Sequence, residues 1–225
     1  MQDLKITLHH LPNSRSQRIV WLLEELDLNY ELIICPDKIQ SGLKFPTLLI
    51  QQPYADMHTL TESSAIAEYL CQLNKQFILD APDNMYWNYC FYKNYADASF
   101  MPNLALKQVF AQIAQQTPWL LRFVSLAFKA AFNSAYLTPE ITKQLQMLDS
   151  HLKNHIWLAG DQFSCADILV WFPLQASQSA LLNFTAYPAL ARYLTQIQSR
   201  PAFQTALRKG HWSTEEFQRY WQITQ

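Results

Sequence analysis

The sequence predicts a small α/β unit over residues 1–76 and an all-helical unit over residues 85–225, with a linker at 77–84. Three observations predict this order. The first 76 residues read strand–helix–strand and then strand–strand–helix. Beyond Pro82 no stretch alternates like a strand, while helix-start signals recur. The 225 residues, half of them apolar, suffice for two ordinary cores.

Each element has a local cause. Residues 4–9, LKITLH, alternate as a strand does. Pro12-Asn13-Ser14 turns the chain into a helix over 15–27, with Ile19, Val20, Leu22, Leu23 and Leu26 on its apolar face. Residues 29–34 form the second strand, and a unit of this length suits a right-handed parallel crossover. PTLLIQ at 46–51 and HTLT at 58–61 are expected as antiparallel strands, joined through Tyr54-Ala55-Asp56. A helix begins near Ser63 and carries Ala65, Ile66, Tyr69, Leu70 and Leu73.

In the second unit, capping residues paired with Pro mark helix starts. Thr117-Pro118, Thr138-Pro139-Glu140, Tyr187-Pro188 and Arg200-Pro201 are such pairs. Ser164-Cys165-Ala166-Asp167 places an acid in a first turn, where it favours the helix dipole. Ser213-Thr214-Glu215-Glu216 has capping-box spacing.

Composition narrows the function classes. The net charge of −1 comes without a basic run, so nucleic acid is not an expected partner. The N-terminus lacks a signal-peptide stretch. The apolar region at 119–132 is broken by Arg122 and Lys129, so no membrane span is expected. Cys35, Cys71, Cys90 and Cys165 form no CxxC pair, which suits buried apolar roles in a reducing cytoplasm. His9 and His10 lie on or beside the first strand, one facing the core and one outward, and no third ligand is spaced for a metal. The seven Trp and thirteen Phe call for thick helix packing or a roomy apolar pocket.

Three motifs can carry chemistry. In the turn NSRSQR, Ser14 sits beside a helix N-terminus, where backbone N–H groups and the dipole favour an anion such as a thiolate. Lys44-Phe45-Pro46-Thr47 enters a strand, and a cis bond at Pro46 would leave the Phe45 backbone able to bond an extended peptide. Thr61-Glu62-Ser63-Ser64 opens a helix, where Ser63 suits a carboxylate and Glu62 an ammonium, the two charges of an amino-acid head. Taken alone, each motif also fits a structural role: two helix caps and a trans Pro at a strand start.

Their order is specific. HHLPNSRSQRIVWLLEELDLNYEL, FPTLL, TESSAIAEYL, YADASFMPNLALKQVF, WLAGDQFSCADILVWFPL and RPAFQTALRKG follow one another in the chain. Together they resemble the glutathione transferase superfamily over nearly the whole length, close to the serine-type members of its fungal and bacterial branch. The resemblance implies a thioredoxin-like α/β domain and an all-α helical bundle domain. It implies glutathione as co-substrate, a small apolar electrophile or a peroxide as second substrate, a cytoplasmic detoxifying transferase, and a homodimer. It makes Ser14 the catalytic hydroxyl, with Phe45 and Pro46 beside the extended peptide and Glu62 and Ser63 at its γ-glutamyl end. Asp97 falls where an acid of one subunit approaches the γ-glutamyl ammonium bound to the other. Arg18 is expected to support the fold, and Asp167 to cap a helix.

The chain departs from this pattern at residues 35–45, CPDKIQSGLKF, which are too few for the family's usual helix and loop. Those residues commonly meet the glycine end of glutathione, so that recognition is left to groups such as Lys44. The alternative is a non-catalytic relative that binds an apolar ligand or a protein on the same fold.

Overall fold

The computed structural model describes residues 4–36, 42–51, 56–181 and 184–222. Strands β1 (Lys5–His10), β2 (Glu31–Ile34), β3 (Thr47–Gln51) and β4 (His58–Thr61) form one sheet in the order β2-β1-β3-β4. β1 runs parallel to β2, and β3 is antiparallel to both β1 and β4. Helices α1 (Gln17–Glu25) and α2 (Ser63–Asn74) complete the βαβ–ββα order. Tyr54 and Ala55 of the expected turn lie outside the described residues, as do residues 37–41 of the short segment.

The alternation of β1 sends Ile6, Leu8 and His10 to one buried face, opposite Leu48 and Ile50 of β3. α1 buries every residue from Gln17 to Leu23, because it is covered on several sides by the sheet and by helices of the second unit. A stripe on one face, the sequence expectation, understates this.

The second unit contains α3 (Tyr86–Tyr95), α4 (Met101–Gln116), α5 (Arg122–Phe132), α6 (Thr138–Leu152), α7 (Cys165–Ala180), α8 (Pro188–Gln198), α9 (Pro201–Lys209) and α10 (Thr214–Gln222). Thr138-Pro139-Glu140 opens α6 as expected, with Pro139 and Glu140 in its first turn, but the chain before it is already helical. The chain passes from α5 into α6 through a π-helical turn, Asn133–Leu137, and from α3 into α4 through another, Ala96–Phe100. Each turn is followed at once by a helix with Pro in its first turn, Pro102 and Pro139. A proline ring clashes with the carbonyl four residues back, and the wider π turn relieves that clash without ending the helix. Thr117-Pro118 instead marks a turn, and the helix after it begins at Arg122.

The two units share one apolar core. Trp21 of α1 meets Phe203 of α9 edge-on at 5.0 Å and Trp171 of α7 at 5.9 Å. Beside this cluster the Arg200 fork holds the Glu25 carboxylate through two bonds of 2.6 and 2.7 Å. The linker is packed as well: the Phe77 carbonyl accepts the Cys165 N–H at 2.9 Å. Cys35, Cys71 and Cys165 are buried free thiols, and Cys90 is half-buried. No helix among the described residues is long and apolar enough to cross a membrane.

Candidate active site

The site forms around the turn between β1 and α1. Asn13 adopts φ +56°, a left-handed conformation that Asn tolerates better than most residues. Its side chain is clasped by the start of α10: Nδ2 donates to Glu216 Oε2 at 2.8 Å, and Oδ1 accepts the Ser213 N–H at 2.8 Å. Ser14, next in the chain, is half-buried. Its hydroxyl lies 2.8 Å from both the Leu11 carbonyl and Ser16 Oγ, and accepts the Ser16 N–H at 3.2 Å.

Behind Ser14 the polarity of the hydrogen bonds is fixed. His10 Nε2 lies 2.8 Å from the Gly210 carbonyl, which only accepts, so Nε2 carries the proton. Burial, aided by the nearby His211 and opposed by that carbonyl bond, lowers the His10 pKa to about 4. The ring is therefore neutral at neutral pH, and Nδ1 accepts the Ser16 hydroxyl at 2.7 Å. Ser16 is fully buried with its proton committed to His10, which leaves Ser14 as the hydroxyl that reaches open space. A Cβ on Gly210 would lie 2.2 Å from Gln17 Oε1, so a larger residue there would have to displace the Gln17 amide.

A second network supports the start of α2. Glu62 has φ +69° and ψ 117°, a sparsely populated conformation of the kind that clusters at functional sites. Ser63 follows, nearly buried, with Oγ accepting from Arg18 Nη2 at 2.8 Å. The Arg18 guanidinium is itself fully buried. It also donates to the Leu169 carbonyl at 2.9 Å and to Asp97 Oδ1 at 3.1 Å. Burial lowers the pKa of Arg18, and Asp97 acts in the opposite direction. Asp97 is thus engaged within its own chain, and Arg15 Nη1 lies 3.8 Å from the same oxygen. The π turn before α4 carries Asp97 to this position.

The sequence candidates converge. Phe45, Pro46, Glu62 and Ser63 line one polar cavity of about 320 Å³, together with Arg15, Leu43 and Lys44. The Phe45–Pro46 bond is cis, as the family resemblance of FPTLL implies and not the ordinary trans form that the motif alone also fits. Ser14 lines a neighbouring cavity of about 600 Å³, walled by Met101, Val109, Phe172, Phe217 and Trp221. Sequence reasoning missed the His10–Ser16 support, the role of Arg15 and the clasp from α10. Only His10 left a readable trace, since the alternation of β1 puts it on the same face as Leu8.

Comparison with known proteins agrees with this architecture. Residues 8–76 match the family model "Glutathione S-transferase, N-terminal domain", and residues 115–201 match "Glutathione S-transferase, C-terminal domain". Glutathione S-transferase 3 of Schizosaccharomyces pombe is 32% identical over 213 residues, which are 91% of this chain and 87% of that relative. A solved glutathione S-transferase from Actinobacillus pleuropneumoniae is 28% identical with a TM-score of 0.71, covering 92% of this chain and 93% of its own. A glutathione transferase family member from Pseudomonas fluorescens, solved with two glutathione bound, is 21% identical with a TM-score of 0.70, covering 90% and 92%. With a thioredoxin-like α/β domain, an all-helical domain and a relative this similar over nearly its full length, the chain belongs to the glutathione S-transferase family.

Proposed function

We propose that this protein is a serine-type glutathione transferase that joins the glutathione thiolate to small apolar electrophiles, with peroxides as a second substrate class. The observation that carries this reading is the pair of adjoining cavities, one polar and one apolar, with Ser14 and Arg15 at the turn between them. Glutathione lies extended in the polar cavity along Phe45 and Pro46. Its γ-glutamyl carboxylate meets Ser63 at the N-terminus of α2, and its ammonium meets Glu62. Because Arg18 donates to Ser63 Oγ, the Ser63 proton is directed away from Arg18 and toward the ligand. The sulfur faces Ser14, which turns its proton from the Leu11 carbonyl to the thiolate. Lys44 supplies positive charge for the remaining carboxylate. The electrophile sits among Met101, Phe172, Phe217 and Trp221, within reach of the sulfur, and catalysis comes from thiolate stabilisation and proximity.

Ser14→Ala is expected to lower kcat far more than it weakens glutathione binding. Losing a hydrogen bond to an anion costs about 1.5–3 kcal/mol, or roughly ten- to a hundredfold in rate. The measurement is steady-state conjugation, after a substrate screen across halo-aromatics, isothiocyanates and organic peroxides. Unchanged kcat would remove Ser14 from the mechanism. Glutathione binding with no turnover on any electrophile class would favour the non-catalytic alternative.

The chain is also proposed to act as a homodimer, with residues 1–76 and 85–225 as its two domains. Trp87 and Phe91 of α3 and Met57 before β4 are large, apolar and exposed, as an interface requires. Light scattering should give twice the 26.3 kDa chain mass. A monomer at micromolar concentration would rule the dimer out.

A further inference from the structure

Arg15 lines both cavities, and no other described residue lines the two. The sulfur of a bound glutathione must lie where they meet, since it belongs to the ligand of one and attacks the ligand of the other. Arg15 therefore lies at the junction where the reacting atom must sit.

Its charge is incompletely balanced. Two guanidiniums, Arg15 and Arg18, share the single carboxylate of Asp97. Arg18 is closer, at 3.1 Å, and its side chain is fully buried. Arg15 is at 3.8 Å, too long for a hydrogen bond, and its side chain is 48% exposed. Asp97 thus mainly compensates the charge that cannot reach water, and the trio carries one net positive charge; Lys44 and Glu62 also line the polar cavity and Glu216 the apolar one.

We propose that Arg15 is the charge that holds the glutathione sulfur as a thiolate, with Ser14 as its hydrogen-bond donor. This rests on the reading that the polar cavity binds glutathione with its sulfur at Ser14. The two groups divide the work. Ser14 gives a directional bond, whereas Arg15 lowers the free energy of the anion through space without taking its proton. The thiol proton leaves to solvent and the electron pair stays on sulfur. A cation within a few ångströms lowers the pKa of an acid by about one to three, and partial exposure puts Arg15 at the low end of that range.

The test titrates the thiol of enzyme-bound glutathione by its ultraviolet thiolate absorbance in wild type, Ser14→Ala, Arg15→Leu and Arg15→Lys. Arg15→Leu is expected to raise that pKa by about one, a tenfold loss of thiolate below both values. Arg15→Lys keeps the charge and should recover most of the shift. High salt should move the wild type toward Arg15→Leu while leaving Arg15→Leu nearly fixed, because a half-exposed charge is screened. A purely structural role would change stability and leave both the titration and its salt dependence alone. If Ser14→Ala shifts the titration and Arg15→Leu does not, the proposal fails and the glutathione reading stands. If wild type binds no glutathione, or binds it with an unperturbed thiol, both fail. The salt series on the unaltered protein remains decisive even if a variant does not fold: no salt dependence overturns the proposal.

Discussion

Arg18→Met is expected to destabilise the fold by about 3–5 kcal/mol, because it leaves buried partners of a charged group unpaired. The guanidinium joins three elements: Ser63 at the start of α2, Asp97 in the π turn before α4, and the Leu169 carbonyl in α7. Its Nε also donates to the Arg15 carbonyl at 3.4 Å, and the Phe172 ring centroid lies 5.9 Å away. Methionine fills part of the volume but satisfies none of these acceptors. Arg18→Lys should recover little, since one ammonium cannot reproduce the spread of a planar fork. Denaturant unfolding, followed as the shift in midpoint at constant slope, measures the loss. Glutathione affinity should fall with it in whatever protein remains folded, because Ser63 loses its orienting donor. Stability of Arg18→Lys close to that of wild type would contradict this role for the network.

The second large effect is expected at Asp167. Its carboxylate receives the Leu158 N–H at 2.9 Å, the Ser164 N–H at 2.8 Å, the Ser164 hydroxyl at 3.0 Å and the Tyr193 hydroxyl at 2.8 Å. It ties the first turn of α7 to the loop before it and to α8. Asp167→Ala strands several buried donors and should cost about 3–5 kcal/mol. Asp167→Asn keeps the shape but turns an N–H toward the Ser164 N–H, so it should lose less, about 1–3 kcal/mol.

The pH dependence separates two forces on this group. Burial raises the Asp167 pKa to about 6 from an ordinary 3.8, against the pull of its four donors. Between those values the native state binds a proton that the unfolded state does not. The contribution of this group is therefore fully present below the unfolded pKa and is lost as pH rises through about 6. The stability gap between wild type and Asp167→Asn should widen on acidification from neutral pH through that window. A gap that narrows instead would mean that the donors outweigh burial.

Much of this molecule is legible in its sequence, for identifiable reasons. β1 and β3 are read correctly to within a residue or so because each has one covered face, which imposes period-two alternation. The caps at Ser164 and Ser213 are read from local hydrogen-bonding chemistry, which leaves its mark within four residues. The π turns are not legible. Pro after Thr138 marks the start of α6, but nothing local shows that the chain enters it from a π turn instead of a loop. The same limit applies to the site. Ser14, Phe45, Pro46, Glu62 and Ser63 lie in short motifs, whereas the Arg18–Asp97 pair spans 79 positions and the His10–Gly210 bond spans 200. Partners so far apart are joined only by folding, and no local pattern announces them.

The central claim is that glutathione occupies the polar cavity with its sulfur at Ser14. The most direct measurement is a crystal structure of the protein with glutathione bound. The sulfur should lie within hydrogen-bond distance of Ser14 Oγ and face the cavity of Met101 and Phe172. The γ-glutamyl carboxylate should sit on Ser63, and the cysteinyl backbone against Phe45. A sulfur more than a hydrogen bond away from Ser14, or a γ-glutamyl group away from Ser63, would contradict the claim.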